Sequence, residues 1–319
     1  MTLTQSAIAS VGQPELLMEA SPYGIDKKKL GMWVFIVSDA CTFGAFLFAY
    51  GYMRVGNPVW GKPFGFASVL NGLVMTAVLL SSSLTMLAAV RASQTGAKRS
   101  TNKWLGVTML LGALFAALHL REWFSLIGEG WRLFYNPTGG AAQFGATFFS
   151  VTGLHLTHVV TGVIALAFIA RGYHQGRYDE SHVETAGLYW HFVDLVWMFV
   201  FPLMYLMNAH CGEYEREGQV MSSSRELTMS SYVGVGLGLM VIVGLEVVLT
   251  YQHLQTRTLL SCLLSLACLE AFVAIMYLMQ VKYERPILFW TIFPATLFVL
   301  ILLCYLWPDA FRMASMRLK

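Results

Sequence analysis

Eight windows of about twenty mostly apolar residues run through this chain, near 31–53, 68–90, 104–127, 143–170, 187–208, 231–251, 258–280 and 287–307. A helix rises about 1.5 Å per residue, so each window matches a hydrocarbon layer about 30 Å thick. Backbone polar groups find no water at that depth and must be satisfied within the segment, which selects helices. Only 12% of the residues are charged and 56% are hydrophobic, against about a quarter charged in a typical soluble domain. The sequence therefore predicts an all-α protein, a polytopic transmembrane bundle of about eight spans. A net charge of +3 is too small and too dispersed to imply nucleic acid as a partner.

Orientation follows from the basic residues. Lys27, Lys28, Lys29, Arg91, Lys98, Arg99, Lys103, Arg171, Arg177, Arg257, Arg312, Arg317 and Lys319 fall on the side shared by the N-terminus, 13 of 21 Lys and Arg. The positive-inside bias then places both termini in the cytoplasm of a multi-pass inner-membrane protein. Residues 1–29 read as a cytoplasmic N-terminal tail, polar and without the apolar core of a signal peptide. The polar stretch 211–230 contains Glu213, Glu215, Arg216, Glu217 and three consecutive serines. It reads as a non-cytoplasmic linker between a five-helix unit, 30–210, and a three-helix unit, 231–319. Four of the five cysteines sit in apolar runs without a Cys-x-x-Cys pair, as small buried hydrophobes.

Ionisable residues inside apolar windows are costly and carry the functional information. In Tyr189-Trp190-His191-Phe192-Val193-Asp194-Leu195-Val196-Trp197, helical spacing sets Trp190, Asp194 and Trp197 on one stripe, with His191 beside it. Counting from the window ends puts His191 and Asp194 roughly 6–10 Å, Asp39 roughly 12 Å and His158 roughly 18 Å from the cytoplasmic side. These four form a candidate cluster, either a hydrogen-bonded network that fixes helix register or a proton-collecting or lipid-headgroup site. His155 and His158, within Thr152-Gly153-Leu154-His155-Leu156-Thr157-His158-Val159-Val160-Thr161-Gly162, are separated by one turn. Glycines and threonines around them point to close helix packing with cross-helix hydrogen bonds. No metal site is expected, since no Glu-x-x-His motif or Cys or Asp partner lies within a turn. Glu122 is expected to pair with Arg121. Glu246 and Glu270 are intramembrane carboxylates without a basic partner within a turn.

The run Glu184-x-x-x-x-Tyr189-Trp190-His191-Phe192-Val193-Asp194-x-Val196-Trp197 is similar to the signature of subunit III of haem-copper respiratory oxidases. The His155–His158 block resembles that family's Gly-x-His-x-x-His-Val segment, and Gly31-Met32-Trp33-Val34-Phe35-Ile36-Val37-Ser38-Asp39 its segment ending in a buried acid. Residues from about Val233 to Trp307 resemble the small bacterial oxidase subunit IV, mainly through Ala274–Pro286. The resemblance implies a subunit with no catalytic centre and no haem, copper or other metal of its own, in a cytochrome c or quinol oxidase of the bacterial inner membrane. Its implied partners are subunits I and II, which carry haem and copper, together with phospholipid and a larger respiratory supercomplex. By position, Asp39 would be the buried acid, Arg171 a headgroup contact, and Trp33, Trp190 and Trp197 contacts to lipid or subunit I. An accessory subunit of a related nitric oxide reductase is the alternative. A transporter is disfavoured, because the sequence has neither internal repeats nor Gly/Pro-broken helices around a midplane site.

Overall fold

Polar turns carrying glycine break the apolar runs into seven α-helices in the computed structural model, which describes residues 27–57, 60–137, 142–209, 230–252 and 256–277. They are α1 (Lys27–Gly56), α2 (Phe66–Gln94), α3 (Lys98–Gly128), α4 (Gln143–His174), α5 (Glu180–Val200), α6 (Ser230–Thr250) and α7 (Thr256–Tyr277). After α5 the chain continues through a π turn, Phe201–Tyr205, and a short 3-10 turn, Leu206–Asn208. The described residues are almost wholly helical and form no β-sheet. Among the described residues six spans are long and apolar enough to cross a membrane, while the apolar part of α6, Gly234–Thr250, is shorter. The eighth expected window, 287–307, lies outside the described residues.

Local chemistry explains the boundaries. Gly96 after α2 and Gly176 after α4 adopt φ of +69° and +72°, a left-handed conformation that costs glycine nothing and other residues more. Asp179 caps α5, its Oδ1 accepting from the backbone N–H of His182 at 3.3 Å. Pro202 ends the regular part of the same helix. It offers no N–H and its ring crowds the preceding turn, and the ladder widens to a π turn over the following residues.

α5 is the axis of the assembly. Of its best membrane-length window 89% is buried, against 61% for α2 and 17–33% for the other spans. It packs on α1, α2, α4 and α7, while α2 also meets α3 and α6. Leu239, Val243, Leu260, Leu263 and Ala274 of α6 and α7 belong to the same apolar core as Phe115, Phe148 and Trp197. The outward faces stay apolar, as Val34, Phe35, Leu110, Phe124 and Phe168 illustrate, which suits contact with lipid or partner helices. Cys41 and Cys268 lie on such faces and are exposed. This corrects the expectation of buried cysteines, because in a bilayer an apolar position need not be an interior one.

Buried indole hydrogen bonds join α5 to α2. Trp190 Nε1 donates to Ser82 Oγ and Trp197 Nε1 to Thr76 Oγ1, both at 2.9 Å. Trp190 fits because Gly112 and Gly162 face it. A Cβ on Gly112 would lie 2.5 Å from its ring, and one on Gly162 would lie 3.1 Å away.

Candidate functional site

Asp39 of α1 and His158 of α4 meet directly. His158 Nε2 lies 3.2 Å from Asp39 Oδ2, an ion-pair contact without the alignment of a good hydrogen bond. The opposite ring nitrogen, Nδ1, donates to the Leu154 carbonyl at 2.7 Å, which fixes the proton on that side of the ring. Nε2 is then left to share a proton with the carboxylate. Phe43 packs edge-on against the imidazole at 5.3 Å. Tyr189 of α5 completes the site, its hydroxyl donating to the His158 carbonyl at 2.9 Å. Asp39 and His158 side chains keep 12% and 16% of their exposure, so the pair lies just beneath the protein surface. Such a carboxylate–imidazole couple can take up and release a proton.

His191 and Asp194 look elsewhere. Both are buried, at 4% and 1% exposed. His191 Nδ1 lies 3.2 Å from Ser83 Oγ on α2. The Asp194 carboxylate forms no well-aligned hydrogen bond among the described residues, and the Ser83 hydroxyl of α2 stands beside it. The four candidate residues thus fall into two groups on different sides of α5. Their depths also differ from the count made on apolar windows, because the helices extend past those windows. Asp194 comes fourteen residues after Glu180, the first residue of α5, about 21 Å along the axis.

Three further placements bear on the expectations. Trp190 and Trp197 are 1% and 0% exposed, so they cannot contact lipid or another subunit; they hold α5 to α2. Trp33 is likewise buried at 5%, while Arg171 is exposed in the last turn of α4. Glu122 accepts from Asn71 Nδ2 of α2 at 2.8 Å, not from Arg121 as expected, since consecutive helix residues point in different directions. His155 is fully buried with no hydrogen-bond partner on either nitrogen among the described residues, tilted against Trp197 at 5.2 Å. His119 packs on the same Trp197 ring at 5.6 Å. Among the described residues no three His, Cys, Asp or Glu side chains gather as a metal would require.

One end of α5 has a polar junction that the sequence reading missed. Asn208 Oδ1 accepts from Trp60 Nε1 at 2.9 Å, and its Nδ2 donates to Tyr50 Oη at 2.9 Å and to the Met204 carbonyl at 2.8 Å. Arg54 stands over the Trp60 ring at 5.7 Å, with the Tyr50 hydroxyl beside it. At the other end, Lys29 Nζ meets Glu184 Oε1 at 3.0 Å and Lys28 Nζ lies 3.7 Å from Asp179. A hydrogen bond from the His182 ring, with Lys28 nearby, holds the Asp179 carboxyl below its ordinary range.

The family model for cytochrome c oxidase subunit III matches residues 20–209, from ahead of α1 to the end of the 3-10 turn. The chain belongs to that family. Among its relatives is cytochrome bo(3) ubiquinol oxidase subunit 3 of Pseudomonas aeruginosa, 34% identical over 185 residues, which are 56% of this chain and 84% of that protein. Cytochrome c oxidase subunit 3 of Corynebacterium diphtheriae is 29% identical over 56% of this chain and 87% of its own length. Heme-copper oxidase subunit I+III of Aeropyrum pernix is 32% identical over 60% of this chain and 24% of its own. The subunit III region contains Asp39, His158, His191 and Asp194 together, whereas α6 and α7 lie beyond it.

Proposed function

We propose that this chain is a non-catalytic integral-membrane subunit of a proton-pumping haem-copper terminal oxidase. In this reading it contacts subunits I and II, binds phospholipid and supports proton uptake, in the bacterial inner membrane with both termini cytoplasmic. Membership of the subunit III family and six apolar spans support a multi-pass oxidase subunit. The relative named subunit I+III favours subunit I as the neighbour. Orientation is favoured by Lys28 and Lys29, which meet Asp179 and Glu184 at one common end of α1 and α5. Haem and copper belong to the partner subunits in this reading, and residues 231–319 form a subunit IV-like module joined through 211–230.

The observation that carries the proton role is the Asp39–His158 contact at 3.2 Å. It couples a carboxylate and an imidazole across α1 and α4, each keeping part of its exposure. Its test uses the tagged chain purified with its complex. Subunits I and II and a haem spectrum should copurify, and Asp39→Asn should leave both unchanged. Proton uptake at raised pH should slow in this variant, or inactivation during turnover accelerate. If Asp39→Asn matches wild type in both and only Asp39→Ala disturbs assembly, the pair is structural. Isolation of the chain with nitric oxide reductase subunits would instead assign it to that enzyme.

A further inference from the structure

Two carboxylates outside the subunit III region turn inward. Glu246 of α6 and Glu270 of α7 are both 0% exposed, and none of their four oxygens has a partner among the described residues. Glu270 lies within electrostatic reach of Glu246 and of Asp194 on α5. Asp194 reaches this place from a different unit of the chain, 1% exposed and with the Ser83 hydroxyl of α2 beside its carboxylate. Glu270 is fourteen residues into α7, as Asp194 is into α5, so by rise both sit about 21 Å along their helices. Glu246 is four residues before the end of α6, about 6 Å from it. Side chains lean toward the N-terminus of their helix. In the antiparallel α6–α7 pair, Glu246 and Glu270 therefore lean toward each other.

Among the described residues no cation answers these charges. The described side chains of α5, α6 and α7 include no Lys or Arg, and on α2 the one Arg is Arg91, in its last turn. The polar groups beside Asp194 are the Ser83 hydroxyl of α2 and, on that same hydroxyl, His191 of α5. An unpaired carboxylate in hydrocarbon is too costly to persist as an ion, and three near one another compound the cost.

We propose that Asp194, Glu270 and Glu246 form a proton-binding carboxyl ladder in the seam between the subunit III region and the α6–α7 hairpin, owned jointly by both. Its ligand is the proton. A water-borne proton converts a carboxylate to a carboxylic acid, and the ladder runs from the α6–α7 turn toward the middle of the bundle. The three groups titrate as one coupled set, so the state of one changes the others. This site is distinct from the Asp39–His158 pair and does not depend on the chain's serving an oxidase.

The test is infrared spectroscopy of the full-length chain in lipid nanodiscs across a pH series, in light and heavy water, without turnover. Wild type should show protonated-carboxyl C=O bands at neutral pH. Glu270→Gln should remove one band and shift what remains; Asp194→Asn and Glu246→Gln should each remove one. Glu270→Asp keeps an acid at the site and should move its band without deleting it, which separates a lost titration from a lost fold. If the C=O bands are the same in wild type and all the Gln and Asn variants, the ladder does not bind protons. Ionised-carboxylate bands at every pH, or bands that follow added sodium, would mean a cation holds the seam, and would also overturn the proposal. Either failure leaves the oxidase-subunit reading standing, because that reading is tested by copurification and turnover.

Discussion

α5 has two seams of opposite character. Toward α2, its polar groups are matched: Trp190 to Ser82, Trp197 to Thr76, His191 to Ser83. Toward α7, Glu270 lies within electrostatic reach of Asp194 and has no hydrogen-bond partner among the described residues. Apolar burial gives little net drive between helices already in lipid, so packing and satisfied polar contacts fix their geometry. The first seam is thus built to hold. The second contains groups whose charge can change, and its geometry is left to apolar packing. The two seams join at Asp194, which shares a stripe of α5 with Trp190 and Trp197 and has the Ser83 hydroxyl of α2 beside it.

The comparison can be broken most directly at Trp190. Trp190→Ala should cost about 3–5 kcal/mol through the cavity beside Gly112 and Gly162 and the lost bond to Ser82, measured as reversible denaturation in bicelles. A value near zero would deny that the α2–α5 seam holds the unit. Ser82→Ala isolates the hydrogen bond. It leaves the buried Trp190 N–H without an acceptor and should cost about 1 kcal/mol by the same assay.

A smaller effect is expected at the α1–α5 end. Because Asp179 is held below its ordinary 3.8, folding favours its charged form. That contribution is complete above 3.8 and is lost as pH falls through the depressed value. Amide exchange at residues 180–183 should therefore quicken in acid more than exchange at the middle of α5, and Asp179→Asn should abolish the difference. The smallest change belongs to the other seam. Glu270→Met should leave stability within about 1 kcal/mol of wild type, or raise it, because no partner among the described residues is lost and a buried polar group is removed. A large loss would reveal an unseen partner and erase the contrast between the two seams.

Much of the architecture is legible in the sequence, because hydrocarbon imposes one rule on every span. The apolar windows anticipate the described helices, and the Tyr189–Trp197 run marks the helix that proves central. The partners of that run were not legible. Ser82 and Thr76 lie more than a hundred residues upstream of Trp190 and Trp197, and three successive serines in an apolar helix were the available signal. The depth count failed for Asp194 because polar ends such as Glu180–Glu184 belong to the helix although not to the apolar window. The Asp194–Glu270 approach crosses two units, and nothing local in either segment points to the other. Asn208 escaped notice because its role depends on the π turn after Pro202, which delivers it to Trp60 and Tyr50.

The centrality of α5 has a bearing on biogenesis. Chains enter the membrane N-terminus first, so the helix at the middle of the five-helix unit is the last of the five to leave the ribosome. Until it arrives, α1 to α4 surround a gap. The hydroxyls of Thr76 and Ser82 then bond only to backbone carbonyls of their own helix, and Gly112 and Gly162 line a groove with nothing in it. The four early helices are therefore an open mould that α5 fills on insertion. A ribosome stalled before Glu180 would leave that mould empty, and lipid or an insertion chaperone would have to occupy the place of the two tryptophans.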